Sequence, residues 1–365
     1  MEEPSNAADI TPEWLGALMH GLGLISAPAD VTGITVERLG DGVGFTSDIQ
    51  RIGIGYNRRI EGAPASLVAK SPSSNPALAP ATKERILAAC RKEAQFYSHL
   101  ANQCAVRTLR VFFAGVESGL LVLEDGNELL PGDQVLGCPY DRALSALDSL
   151  AALHAQWWHD PRSSSHEWIG RRIPDWLDSG AQARYRSLWE RQLQGEGEEL
   201  SPARRQIGDL LVTDFHKVQP RLAVPVTLVH GDYRVDNLLF PPGAGDPPVV
   251  IDWPAVALCN PGVDTGYFLS GSVNSTDRSA SIEQLSRHYW DNLREHGVTG
   301  YSLDECLLDC RLGVLDALYR HTIYYSVFDL TADRAQRLWR AIRSRHEAAI
   351  EELDLLGFLA NLGET

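Results

Sequence analysis

The segment VHGDYRVDN occupies positions 229–237, and the segment VVIDW follows at positions 249–253. The first follows the strand-like residues that begin at Val226, and the second begins with the apolar run VVI, before each continues into polar residues. This pattern predicts that Asp232, Asn237 and Asp252 lie on loops at strand ends, where a rigid scaffold displays functional groups. Two carboxylates and an amide are hard oxygen ligands that suit Mg²⁺, which takes few protein ligands and completes its shell with phosphate and water. Together with Arg234, the spaced set indicates a functional site rather than two ordinary polar turns.

The region before these segments reads as a helix, a small sheet and a second helix. Helical spacing covers positions 11–24 and about 82–101. Strand-like runs occur at positions 34–39, 47–56, 66–69, 109–114 and 120–123. Lys70 directly follows the third run, and Glu93 lies on the second helix. The rest of the chain is mainly helical, so we expect an N-terminal lobe over 1–125 and a helical C-terminal lobe over 126–365 that carries loop 229–240 and Asp252.

A glycine-rich turn, GDGVGFTS, lies at positions 40–47 between two predicted strands. Rossmann fingerprints and Walker A loops need a helix N-terminus for the phosphate, so this position excludes both. Gly42 and Gly44 would let backbone N–H groups approach a phosphate closely, and Thr46 and Ser47 would add hydroxyl donors. An ordinary glycine hairpin explains the same turn and remains open as an alternative.

The order His-Gly-Asp, Asn five residues after the Asp, and a later Asp-Trp resembles the catalytic loop and metal aspartate of kinases. The glycine after His230 and the tryptophan after Asp252 are similar to the aminoglycoside/choline phosphotransferase family. The turn at 40–47 and the run LVLED at 121–125 look closest to its ecdysteroid-kinase-like branch. The resemblance implies an α+β, two-lobed protein-kinase-like fold with a small antiparallel-sheet N-lobe and a large, mainly helical C-lobe.

The resemblance also implies roles for the loop residues. Asp232 would accept or orient the proton of a substrate hydroxyl, and Arg234 would face the transferred phosphate. Asn237 and Asp252 would hold Mg²⁺.

The same resemblance assigns the nucleotide contacts. Lys70 would pair with the α- and β-phosphates of ATP, and Glu93 would hold Lys70 in an ion pair. The backbone from Leu123 to Asp125 would present N–H and C=O groups to adenine. Taken alone, Lys70 and Glu93 also read as ordinary surface charges.

The predicted activity is transfer of the γ-phosphate of ATP to a hydroxyl of a small molecule. Asp264 follows Asp252 by only twelve positions, which leaves little room for a protein-kinase activation segment. Aminoglycosides, amino alcohols, sugars, steroids and hydroxyacyl thioesters all remain open as acceptors. A catalytically silent, nucleotide-binding pseudokinase is the alternative, and metal-dependent hydrolysis through His230 and Asp232 is a weaker one.

Two further residues are interpreted as structural. His154 lies on an apolar helical stripe and is expected to brace loop 229–240 from the core. Asp264 resembles a family aspartate that ties the start of a helix to that loop, and we interpret it as structural.

The composition of the chain limits the classes of partner that the protein is expected to bind. A formal net charge of −15 excludes a general nucleic-acid footprint and disfavours anionic membrane surfaces. The six cysteines form no CxxC pair, the N-terminus lacks a signal-like pattern, and no apolar run reaches the roughly 18 residues of a membrane span. We therefore expect a reduced, cytoplasmic protein, whose oligomeric state the sequence leaves open.

Overall fold

The computed structural model describes residues 3–39, 47–170, 181–243, 245–274, 281–326 and 330–362. The chain divides into two compact units. The first comprises Met1–Cys104, Thr108–Glu128 and Ile251–Val256, and the second comprises Ala105–Arg107, Leu129–Val250 and Ala257–Thr365. The short segment that carries Asp252 therefore makes its contacts with the first unit.

The first unit is an antiparallel sheet with two helices. Its elements are α1 (Pro12–Gly21), β1 (Val31–Leu39), β2 (Ser47–Tyr56), β3 (Ser66–Pro72), α2 (Pro80–His99), β4 (Val111–Ala114) and β5 (Leu121–Glu124). The strand order is β1-β2-β3-β5-β4, and every neighbouring pair is antiparallel. Sequence alternation thus identifies the strands correctly, with bounds that differ by a few residues.

The two faces of this sheet carry different kinds of side chain. Side chains alternate between faces along a strand, so Leu67 of β3 and Lys70 point to opposite sides. Leu67 and Ile52 are fully buried in a cluster with Leu15 and Met19 of α1. Burial of these apolar side chains fixes α1 on one face and leaves the other face to carry Lys70.

The second unit is mainly helical, as predicted. Its helices are α3 (Tyr140–Gln156), α4 (Ala181–Glu196), α5 (Pro202–Val218), α6 (Gly262–Gly271), α7 (Ile282–Glu295), α8 (Leu303–Tyr325), α9 (Asp333–Glu352) and α10 (Leu355–Asn361). Its short strands are β6 (Leu130–Pro131), β7 (Thr227–Val229), β8 (Leu238–Phe240), β9 (Val249–Val250) and β10 (Ala257–Cys259). They form the antiparallel sheets β6-β8-β9 and β10-β7. In the described part of the chain, no helix has the length and apolar character needed to cross a membrane.

Helices α6 and α8 pack with their backbones nearly in contact. A Cβ at Gly313 of α8 would collide with the carbonyl of Gly262, and one at Gly266 would collide with the backbone around Gly313. Only glycine permits this approach, because any side chain would push the helices apart. The pair matters because α6 carries Asp264 and α8 carries Arg320, two side chains that contact loop 230–237.

Asp309 is a buried acid at the start of this helix pair. It is 5% exposed, its backbone carbonyl abuts Gly262, and Tyr301 donates its hydroxyl proton to Asp309 Oδ2 at 2.8 Å. Burial raises the pKa of Asp309 to about 7 despite the hydrogen bond from Tyr301. The folded protein thus favours the protonated carboxyl.

We predict that Asp309→Asn flattens the pH dependence of stability. Because the folded pKa of about 7 exceeds the unfolded value of 3.8, this group's contribution is complete below pH 3.8 and is lost as the pH rises through 7. The loss proceeds with a slope of up to about 1.4 kcal/mol per pH unit. Urea unfolding from pH 4 to 8 measures it. The exposed acid Asp304 on the same helix is the control, and an unchanged slope in Asp309→Asn would contradict the prediction.

Candidate active site

Lys70 is the centre of a three-residue charge cluster in the first unit. Its Nζ lies 2.9 and 2.6 Å from the two carboxylate oxygens of Glu93 and 2.6 Å from Asp252 Oδ1. Glu93 is buried, whereas the side chains of Lys70 and Asp252 are 12% and 38% exposed. The structure thus brings together three of the residues that the sequence singled out, although 182 positions separate Lys70 from Asp252.

The three charged groups of this cluster shift one another's pKa. Burial alone would lower the pKa of Lys70, but the nearby carboxylates of Asp252 and Glu93 raise it well above its usual value. Burial, with the added repulsion of Asp252, raises the pKa of Glu93 despite its contact with Lys70. Contact with two carboxylates thus stabilises the ammonium form of Lys70.

Trp253 attaches the segment containing Asp252 to helix α2. Its backbone N–H donates to Glu93 Oε1 at 3.2 Å, and its fully buried ring stacks on Phe96 with centroids 4.0 Å apart. Asp252 itself has φ +68°, an uncommon conformation for a residue other than glycine. Such strain persists only where neighbouring contacts hold it, and here they are those of Glu93 and Phe96.

Loop 230–237 in the second unit follows β7 and leads into β8, as predicted. Asn237 Nδ2 donates to the backbone carbonyl of Asp232 at 2.8 Å and to its Oδ2 at 3.1 Å. Arg234 Nε lies 3.6 Å from the same Oδ2. His230 is buried, and its Nδ1 accepts the N–H of Asp232 at 3.2 Å. The contacts of the Asp232 carboxylate thus gather on Oδ2, and the side chain remains 25% exposed.

Asp264 of α6 holds this loop by accepting hydrogen bonds from its backbone. Its Oδ2 accepts the N–H of His230 at 2.6 Å, and its Oδ1 accepts the N–H of Gly231 at 2.8 Å. His154 Nε2 lies 3.3 Å from Oδ2, and the other ring nitrogen of His154 is 2.6 Å from the hydroxyl of Tyr289. Burial opposes ionisation, but the hydrogen bonds and the neighbouring histidines lower the pKa of Asp264. Both residues therefore have the bracing roles inferred from the sequence.

The glycine-rich turn contributes little to this description. Gly42, Gly44 and Thr46 lie at positions 40–46, outside the described residues. Ser47 begins β2, and its hydroxyl lies 3.8 Å from the thiol of Cys90 on α2. The phosphate-binding role of the turn stays a prediction.

The segment predicted to contact adenine lies at the end of β5. Leu123 pairs with Val68 of β3 and is buried. Asp125 is held by its side chain, since Arg51 Nε donates to Oδ2 at 2.8 Å and Ser66 Oγ donates to the same oxygen at 2.6 Å. The end of β5 is thereby tied to β2 and β3. The adenine contact of this backbone stays a prediction.

Sequence reasoning missed Arg320. It lies on α8, is 4% exposed, and donates from NH1 to the backbone carbonyl of Gly231 at 2.7 Å. The available signal was Asp316 one helical turn earlier, since an acid and an arginine four residues apart inside an apolar helix indicate a buried ion pair.

Asn237 and Asp252 each carry an oxygen of the kind that Mg²⁺ binds. Asn237 points its amide nitrogen at a carbonyl, which can only accept, so Oδ1 is the amide oxygen left to bind a cation. Asp252 supplies a partly exposed carboxylate. Among the described residues, no group of three or more His, Cys, Asp or Glu could hold a metal unaided. Mg²⁺ commonly uses one or two protein oxygens with phosphate and water, so each side chain suits it by its chemistry, and the use of both for one ion stays a prediction.

We predict that Asp264→Asn destabilises the protein by roughly 2–4 kcal/mol, because the amide keeps one acceptor oxygen and turns an NH₂ group toward a backbone N–H. Urea unfolding at pH 7 measures the change in free energy. Asp246→Asn, an exposed acid in the same unit, is the matched control. Equal stability of the two variants would show that the Asp264 carboxylate does not hold the loop.

A family model described as the phosphotransferase enzyme family matches residues 59–296, more than half of the chain. This range includes Lys70, Glu93, Asp232, Asn237 and Asp252. A search of curated proteins finds no match to the sequence.

Solved structures with the same fold include three kinases. Wild-type aminoglycoside 2′-phosphotransferase-IIIa in its GDP complex is 16% identical, with 91% of this chain and 97% of that chain covered and a TM-score of 0.53. Choline kinase from Cryptosporidium parvum Iowa II is 11% identical, with 90% and 93% covered and a TM-score of 0.53. Plasmodium vivax ethanolamine kinase is 10% identical, with 89% and 83% covered and a TM-score of 0.53. At these identities the likeness shows the fold, and the predicted protein-kinase-like α+β fold is confirmed. On the family match, the chain belongs to the phosphotransferase enzyme family.

Proposed function

We propose that this protein transfers the γ-phosphate of ATP to a hydroxyl group of a small molecule, with Mg²⁺ bound by Asn237 and Asp252. One observation carries the proposal, which is the charge cluster of Lys70, Glu93 and Asp252. Lysine held between two carboxylates is poised to exchange a carboxylate contact for a phosphate. Membership of a phosphotransferase family supports the same reaction class.

Asp232 is the group proposed to receive the proton of the acceptor hydroxyl. Asn237 and Arg234 both approach its Oδ2, so Oδ1 is the oxygen available to a hydroxyl. Asn237 holds both the carboxylate and the carbonyl of Asp232, which fixes the side chain before substrate arrives. In phosphoryl transfer, such positioning supplies much of the catalysis, because the protein performs little covalent chemistry.

Cationic groups would neutralise the charge of the phosphates. Lys70 reaches the α- and β-phosphates in this proposal, and Arg234 faces the transferred group. When bound, Mg²⁺ supplies further neutralisation of the phosphate oxygens. Glu93 accepts a hydrogen bond from Lys70 Nζ and, by accepting the N–H of Trp253, also helps to hold Asp252 in its strained conformation.

The acceptor is proposed to be a small alcohol rather than a protein. The residues between Asp252 and Asp264 are occupied by a turn, strand β10 and the start of α6, so this part of the chain holds no extended segment of the kind that binds a peptide. The aminoglycoside, choline and ethanolamine kinases that share the fold are named for small-molecule acceptors. The resemblance to the ecdysteroid-kinase-like branch stays a prediction.

We expect wild-type protein to convert MgATP to ADP in the presence of at least one alcohol from a panel of aminoglycosides, amino alcohols, sugars and steroids. Asp232→Asn and Asp252→Asn should each lower kcat by about 10²–10⁴-fold, because one loses the proton acceptor and the other a metal ligand. Phosphorylated product and ADP release are measured together. Asp246→Asn serves as the control for loss of one exposed acid.

Calorimetry with MgATP separates the two losses. Asp232→Asn should bind nucleotide with nearly wild-type affinity, whereas Asp252→Asn should lose the part of the affinity that depends on Mg²⁺. Full activity of Asp252→Asn would overturn the metal assignment. Wild-type protein that binds MgATP but phosphorylates no alcohol would instead indicate a silent nucleotide-binding module.

A further inference from the structure

Arg320 joins helix α8 to the residue that precedes Asp232. Its NH1 donates to the carbonyl of Gly231 at 2.7 Å across 89 positions of sequence. Resting on the proposed function, we infer that Arg320 is a positioning residue for phosphoryl transfer, which sets the direction of the Gly231–Asp232 peptide and thereby aims the Asp232 carboxylate.

Two further contacts hold the guanidinium group of Arg320. Its Nε lies 3.0 Å from Asp316 Oδ2, one helical turn earlier, and both side chains are about 95% buried. Its carbon CZ lies 3.9 Å above the ring centroid of Tyr267 on α6. Burial would lower the pKa of Arg320, but the neighbouring Asp316 and other groups raise it, so the group keeps its charge. The hydrogen bond to Gly231, the ion pair with Asp316 and the ring of Tyr267 together limit the movement of the guanidinium group.

Loop 230–237 is therefore held by hydrogen bonds at both the N–H and the carbonyl of Gly231. Asp264 accepts the N–H of Gly231 from α6, while Arg320 donates to the carbonyl of Gly231 from α8. Gly231 has φ +81°, a backbone conformation that favours glycine, so the loop turns at this point. With both peptide groups held, the direction in which Asp232 leaves the turn is determined by the packing of α6 against α8.

A buried arginine that only supports helix packing would make no contact with loop 230–237. Arg204 is also buried, and it donates to the Leu318 carbonyl and to the Thr322 hydroxyl of α8. None of its contacts reaches loop 230–237 in the described residues. Arg204 and Arg320 thus form a matched pair, in which both arginines brace α8 but only Arg320 extends to the loop.

The kinetic test compares Arg320→Met, Arg320→Lys and Arg204→Met with an alcohol accepted by the wild type. We expect Arg320→Met to lower kcat by about 10²-fold with less than a threefold change in the KM for MgATP, since misplacing a catalytic group by about 1 Å costs this much. Arg320→Lys should recover part of kcat, because one ammonium can bond the Gly231 carbonyl. Arg204→Met should keep kcat within threefold even if its Tm falls further. Equal kcat losses in Arg320→Met and Arg204→Met would overturn the inference.

A second measurement does not depend on turnover. The carbonyl ¹³C shift of Gly231 and the amide ¹⁵N shift of Asp232 report the hydrogen bond at this peptide. We expect both signals to move in Arg320→Met and to stay in place in Arg204→Met. Unmoved signals in Arg320→Met would contradict the positioning role. If the signals move in Arg320→Met but the wild-type protein phosphorylates no alcohol, only the proposed function is contradicted.

Discussion

The carboxylate of Asp264 is the constraint on which the arrangement of loop 230–237 depends. It is fully buried, and it accepts the N–H groups of two consecutive residues, His230 and Gly231. A buried carboxylate is stable only when its oxygens are well hydrogen-bonded, and those same bonds remove the freedom of the loop. Because Asp264 belongs to α6, the glycine contacts that seat α6 on α8 also place the anchor.

A shared ammonium group links the charged side chains of the first unit. Lys70 Nζ lies 2.6 Å from a carboxylate oxygen of Glu93 and 2.6 Å from one of Asp252. Removing one partner from a buried ionic contact leaves a charge that is costly to bury, so these side chains depend on one another. A net charge of −15 for the whole chain does not argue against the proposed binding of an anionic nucleotide, because local charges such as that of Lys70 govern such an interaction.

Sequence patterns predicted the elements better than their junctions. The apolar stripe of α3 continues to Trp158, yet the helix ends at Gln156 and His159 adopts φ +51°. Periodicity records which face is buried, and it cannot show where the backbone must turn to let the chain meet β7. Strand β10 was missed for a similar reason, since its three residues are too few to display alternation.

The sequence alone determined the donors of loop 230–237, because Asp232 and Asn237 are five residues apart and one short turn brings them together. The resemblance to kinases, rather than the strand and helix patterns alone, indicated Lys70 as the candidate lysine and Glu93 as its acidic partner. Only the tertiary structure decided that Asp252 joins Lys70 through the stack of Trp253 on Phe96, and that Arg320 reaches Gly231. These contacts span 182 and 89 positions and arise from close packing of particular side chains, which a pattern of polar and apolar residues does not encode.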